Sequence, residues 1–140
     1  MSDVRDTASV VRAYYDLLAG GLPAFSADQM MELLDPALAF EGPIAGSRVG
    51  AAGFARGVAG FVETASSLHL LQTVLSEHEA VTLYDTEMPG GPVRFAEFFH
   101  AEGGRIRSLR LLYDAHLYRA GRPLTALLGD VHGGTLGPGG

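Results

Sequence analysis

The chain has 140 residues, with ten basic against sixteen acidic side chains and a formal net charge of −6. That length suits one domain with enough buried surface to fold without a disulfide or metal staple, and the lack of cysteine excludes thiol catalysis, thiolate metal sites and a disulfide framework. An acidic chain without a basic run is a poor partner for nucleic acid or anionic membranes.

Residues 6–19, DTASVVRAYYDLLA, predict a helix whose apolar stripe is Val10, Tyr14, Leu17 and Leu18. Gly20-Gly21 stops it. Ser26 or Asp28 caps a second, short helix over 27–34, which ends before Pro36. ALAFEG, 37–42, reads as a short strand, and the following GPIAGSRVG as a loop. Residues 51–64 predict a third helix with Phe54, Val58, Phe61 and Val62 on its apolar side. Its glycines lower the helix propensity and suit close packing on a sheet.

The pattern then turns to strands at 67–77, 80–88, 93–102 and 105–118, separated by HE, PGGP and GG. Such breaks suit antiparallel hairpins. A short turn and one helical turn are expected over 120–128. Residues 1–128 form the domain, and 129–140, GDVHGGTLGPGG, form a loose tail. The order predicts an α+β fold with three helices of the N-terminal half packed on one face of a curved antiparallel sheet. No run approaches the roughly 18 apolar residues of a spanning helix. The N-terminal MSDVRDTASV lacks the basic and apolar regions of a signal peptide, so a cytoplasmic location is expected. Every basic residue is arginine, and with the Ala, Gly and Leu richness this suggests a GC-rich bacterial genome.

Alternation along the strands assigns two faces. With Gly103-Gly104 as a two-residue turn, Phe98 faces Leu109, Ala96 faces Leu111, Arg94 faces Tyr113 and His100 faces Arg107. With Gly90-Gly91 as the preceding tip, Glu87 faces Arg94, Asp85 faces Ala96, Leu83 faces Phe98 and Val81 faces His100. One face then has an apolar middle of Val81, Leu83, Phe98, Leu109 and Leu111. Asp85, Glu87, Arg94 and Tyr113 lie at one end of it, and His100 and Arg107 at the other. The opposite face holds Tyr84, Phe95, Glu97, Phe99, Arg110 and Leu112, and Asp114 lies on that side too. Here Glu97 and Arg110 form a cross-strand ion pair. Both faces are apolar, so helices cover one and a second subunit covers the other. A β-bulge would invert part of this register.

The arrangement over residues 6 to 118 resembles the nuclear transport factor 2-like superfamily, the cone-shaped, cystatin-like fold also called SnoaL-like. YYDLLAGG, FEGPIAGSRVGAAGF and LYDTEMPGGPVRFAEFFHAEGGRIRSLRLLYD carry the resemblance. It implies helices on the concave face of the sheet, a pocket between them and homodimers. Members include ketosteroid isomerase, polyketide cyclases, dehydratases, limonene epoxide hydrolase and non-enzymatic modules. Tyr14 takes a place similar to the isomerase's oxyanion donor. The isomerase's Asp base corresponds to Gly42, with Glu41 one step off, and its protonated Asp partner falls near Ala96. The inward Asp of the last strand in the cyclases and the hydrolase corresponds to Leu111. The hydrolase's Arg-x-Asp pair corresponds to Asp85-x-Glu87.

From these residues the expected catalytic set is Asp85, Glu87, Tyr14, Arg94 and His100. Neighbouring carboxylates suit proton transfer when desolvated, a tyrosine donates to a developing oxyanion, and histidine titrates near neutrality. Phe40, Phe54, Val58, Leu83, Phe98, Leu109, Leu111 and Tyr113 are the expected substrate-binding residues. Glu97 and Asp114 are expected not to be catalytic, and His69 reads as structural. No metal site or cofactor is expected, because the histidines lack a ligand spacing and no Gly-rich phosphate loop follows a strand. The expected function is a small cofactor-free enzyme performing cyclisation, isomerisation or dehydration on an apolar, polyketide-like or ring-bearing metabolite. The alternatives are a non-catalytic ligand-binding or dimerisation module, and epoxide hydrolase-like ring opening. The expected partner is a second copy, joined through the outer sheet face.

Overall fold

The Asp6 carboxylate accepts a hydrogen bond from the Ser9 amide and so starts α1 (Thr7–Ala19). Val10, Val11, Tyr14, Tyr15 and Leu18 make its buried side, the recurrence of a core-facing helix. Ser26 caps α2 (Ala27–Leu33) in the same way. The structure, a computed structural model, describes residues 6–21 and 25–120, with the side chains of 119 and 120 left out. The segment 121–128 and the tail expected at 129–140 lie outside the described residues.

The chain passes from α2 directly into β1 (Leu34–Gly42), followed by β2 (Gly46–Val49), α3 (Ala51–Thr64), β3 (Ser67–Leu75), β4 (Glu79–Met88), β5 (Gly91–Glu102), β6 (Arg105–Leu112) and α4 (Ala115–Ala120). The loop expected after residue 42 contains β2, which pairs antiparallel with β1. The strand expected over 105–118 ends at Leu112. Asp114 Oδ1 then accepts from the His116 and Leu117 amides, and the chain turns into α4.

One sheet of six strands runs in the order β2-β1-β6-β5-β4-β3. Its neighbours are antiparallel except β1 and β6, which are parallel. The fold class is α+β with a curved sheet and helices in the N-terminal half, as the sequence predicts. Val10, Tyr14 and Leu18 of α1, Met30 and Leu33 of α2, and Phe54, Val58 and Val62 of α3 meet Tyr84, Phe95, Phe99 and Leu109 of the sheet in one core. No helix among the described residues is long and apolar enough to cross a membrane.

The two hairpins decide which side chains reach that core. Gly103 and Gly104 have φ of +62° and +80°, the left-handed pair a tight two-residue turn demands. Glu102 therefore opposes Arg105, and Ala101 opposes Ile106. One residue is then extra on β6: His100 opposes Ser108, and Arg107 stands unopposed as a β-bulge. Beyond it Phe99 opposes Leu109 and Glu97 opposes Leu111. This corrects the expected pairs of Phe98 with Leu109 and Ala96 with Leu111. In the other hairpin Met88 opposes Gly91, so Pro89-Gly90 is the tip, and Asp85 rather than Glu87 opposes Arg94.

The helices consequently cover the face of β4 and β5 that carries Thr82, Tyr84, Phe95, Glu97 and Phe99, all buried. Val81, Leu83, Asp85, Glu87, Arg94, Phe98 and His100 alternate with them on the other side. On β6 the inward residues are those expected, Leu109 and Leu111. The bulge thus keeps β6 in its expected orientation and reverses the faces expected for β4 and β5.

Candidate functional site

Glu97 is the only fully buried acid among the described residues, at 1% exposure. It lies on β5 between Phe95 and Phe99, both core residues. Tyr14 of α1 donates its hydroxyl to Glu97 Oε2 at 2.8 Å. Tyr15, its neighbour in the helix, donates to Oε1 and also lies 2.6 Å from Thr82 Oγ1. The Tyr84 phenol of β4 also favours the charged form of this carboxyl. Successive helix residues point about 100° apart, so Tyr14 and Tyr15 reach the two oxygens from different sides.

Burial opposes ionisation of Glu97 and outweighs the phenol donors of Tyr15, Tyr14 and Tyr84, which favour the carboxylate. The carboxyl is pushed up to about 7. Burial, reinforced by the Glu97 charge, raises all three tyrosines well above the usual phenol range, so they remain donors. A carboxyl half-ionised near neutral pH can both take and return a proton.

Tyr14, Tyr84 and Glu97 line a cavity of about 910 Å³ between α3 and the sheet. Phe40, Phe54, Val58, Leu109, Leu111 and Tyr113, all expected substrate-binding residues, line it as well. Ile44, Phe61, Phe95 and Tyr118 complete the apolar wall, and Glu41, Arg48 and Arg56 supply charge. Tyr113 lies tilted against Phe95 and Tyr118 edge-on to it, with ring centroids 4.8 and 6.3 Å away.

The remaining expected site residues lie elsewhere. Asp85 and Arg94 form a two-pronged ion pair, at 2.7 and 2.9 Å, on the outer face. Arg94 holds the Asp85 carboxyl below its usual value, and Asp85 raises the guanidinium in turn. Glu87 is exposed on that face. His100 contacts Glu102 and Glu79 at 2.9 and 3.3 Å, and both carboxylates raise its pKa. Leu83 and Phe98 also face away from the cavity, correcting their expected place in its lining. The reason is the same for all six: the bulge at Arg107 exchanges the faces of β4 and β5 relative to β6.

Glu97 is the residue the sequence reading set aside. Its expected partner Arg110 instead pairs with Glu41 at 3.2 Å. The available signal was the alternation Phe95, Glu97, Phe99, which places one acid in an aromatic row that also carried Tyr84 on the facing strand. It sits one residue from Ala96, where the resemblance places the isomerase's protonated acid. Among the described residues no three His, Asp or Glu side chains gather where they could hold a metal ion.

Comparison with known proteins accords with this architecture. Residues 11–109 match the SnoaL-like domain. None of the curated proteins matches the sequence. A protein of solved structure from Kribbella flavida DSM 17836 shares 26% identity, covering 85% of this chain and 93% of its own, with a TM-score of 0.72. An NTF2-like protein of unknown function from Cytophaga hutchinsonii ATCC 33406 shares 20% identity over 83% and 96% of the two chains, with a TM-score of 0.64. A steroid delta-isomerase from Pseudomonas aeruginosa has the same fold at 14% identity, over 86% and 82%, with a TM-score of 0.64. A match spanning most of the chain, on a fold with its cavity between helices and sheet, makes this protein a member of the SnoaL-like domain family.

Proposed function

We propose that this protein is a small enzyme that moves a proton on an apolar, ring-bearing, polyketide-like metabolite, with Glu97 as the proton carrier. One observation carries the reading: a carboxyl pushed up to about 7 lies against an apolar cavity, beside a tyrosine donor 2.8 Å away. Such a carboxyl holds its proton loosely enough to exchange it near neutral pH. Ionised Glu97 removes a proton from a carbon next to a ring carbonyl. The electron pair moves to the carbonyl oxygen, and Tyr14, no longer drawn to a carboxylate once Glu97 is protonated, turns its one hydroxyl proton to that oxygen. Glu97 then returns the same proton to another carbon. One carboxyl suffices for that sequence, so isomerisation is favoured over cyclisation and dehydration.

The experiment is proton exchange in heavy water with a panel of apolar cyclic enones, followed by NMR. The native protein is expected to exchange the acidic ring protons of at least one member, and Glu97→Gln to abolish it. A native protein that exchanges none, together with a Glu97 that titrates as an ordinary carboxyl, would overturn the proposal.

A second reading is a binding module without chemistry. It is favoured by Glu97 having both oxygens already occupied by phenols, as a purely structural buried acid would. Ring opening of an epoxide by Asp85 or Glu87 loses support, since both acids face away from the cavity. The exposed Val74, Val81, Phe98 and Leu112 support a homodimer through the outer sheet face, and we place the protein in the cytoplasm.

A further inference from the structure

We infer that the ligand of this cavity carries an anionic group, held at the mouth by Arg56 while its apolar body reaches toward Glu97. The inference rests on the reading of the cavity as a ligand site.

The chain as a whole carries six more acids than bases, yet the charges along the cavity are distributed otherwise. Its lining contains Arg48, Arg56, Glu41 and Glu97. Glu41 is engaged by Arg110, at 3.2 Å. Glu97 lies at the floor, with its oxygens accepting from Tyr14 and Tyr15. The exposed part of the lining therefore presents Arg56. Arg48 Nε donates to the Ala45 carbonyl at 3.0 Å, which anchors that side chain across the β1–β2 turn. Arg56 is exposed on α3 and lies over Gly53, where a Cβ would come within 3.7 Å of its Nη2. Among the described residues no ion pair engages Arg56.

Charge also orients the ligand. An anion pressed to the floor would lose its water and meet a carboxyl, and an uncompensated buried charge is strongly unfavourable. At the mouth the same anion keeps part of its hydration and gains charge-assisted hydrogen bonds from guanidinium groups. The class that fits is a ring-bearing acid: apolar rings inward, carboxylate or other anion outward.

The test uses two fluorescent probes with the same ring system, anilinonaphthalene sulfonate and uncharged phenyl-naphthylamine, titrated into the full chain. The sulfonate is expected to bind more tightly than the neutral probe. Arg56→Gln weakens the sulfonate about fivefold, the scale of an exposed ionic contact. Arg56→Lys restores part of the loss. Added salt weakens the sulfonate alone. The neutral probe is indifferent to the arginine changes and to salt. Gly57→Trp, at a position where a Cβ would meet nothing within 4 Å, fills the cavity and weakens both probes. If the neutral probe enters but the arginine variants leave the sulfonate unaffected, the anion inference is wrong and the cavity reading stands. If neither probe binds, or Gly57→Trp changes neither, the cavity reading falls and takes this inference with it.

Discussion

The Tyr14 hydroxyl and Glu97 Oε2 lie 2.8 Å apart although 83 positions separate the residues in the chain. Helix α1 and strand β5 are thereby tied together at the base of the cavity by a charge-assisted hydrogen bond, among the stronger kinds available to a fold.

Glu97 makes folding depend on pH. Its carboxyl rises from 4.5 to about 7 on burial, so the folded state keeps a proton that the unfolded chain releases. The Glu97 contribution to stability is greatest below about 4.5, declines as pH rises through about 7, and is level above that. The shift corresponds to about 3 kcal/mol. Glu97→Gln is expected to flatten the curve and to be more stable than the native protein at about pH 8. Urea unfolding at several pH values measures both.

The phenols act in the opposite sense. Tyr15→Phe removes a donor that favours the carboxylate and leaves Thr82 without that partner. The Glu97 pKa is expected to rise further, and stability to fall by about 1–3 kcal/mol. Carbon NMR of the glutamate carboxyl, followed through the titration, reports the first, and unfolding the second. Tyr14→Phe shifts the titration in the same direction.

The outer-face pair should be dispensable. Asp85→Asn and Arg94→Gln break a solvated ion pair. No measurable change in the unfolding midpoint, in the Glu97 titration or in probe binding is expected. A loss of proton exchange in either variant would return catalysis to that face.

Phe98 is 39% exposed at the centre of the outer face, opposite Val81 on β4. In a dimer formed there, Phe98→Arg would place two unpaired charges in the contact. The variant is expected to sediment as a folded monomer where the native protein sediments as a dimer. A native protein that is monomeric throughout would remove the dimer proposal.

The residues that could be read in sequence are those whose evidence is local. The first and third helices follow from the spacing of Val10, Tyr14, Phe54 and Val58, the second from its cap at Ser26, and the second hairpin tip from Gly103-Gly104, whose positive φ values only glycine adopts freely. The pocket-lining leucines of β6 and the aromatics of α3 follow from the same periodicities. Glu97 did not, because its face depends on a count of residues across the hairpin, and one unopposed Arg107 changes that count. Nothing in the local composition RIRSLR marks the third residue as the extra one. Its partner in the structure is distant: Arg107 Nε lies 3.2 Å from Asp35 Oδ2 at the start of β1. A sheet with two apolar faces gave no penalty by which the wrong assignment could be noticed.

The same bulge sets what this hairpin can tolerate. A change of residue type at position 107 alters one exposed side chain and leaves the rest where it is. Loss of that single position would leave an even ladder with Ser108 still opposite His100 and Leu109 still opposite Phe99, so Leu109 and Leu111 would keep facing the cavity. What would go is the local kink and the reach of Arg107 to Asp35. A gap at 107 is thus absorbed, whereas a gap at one of the paired positions beyond it would turn the rest of β6 over.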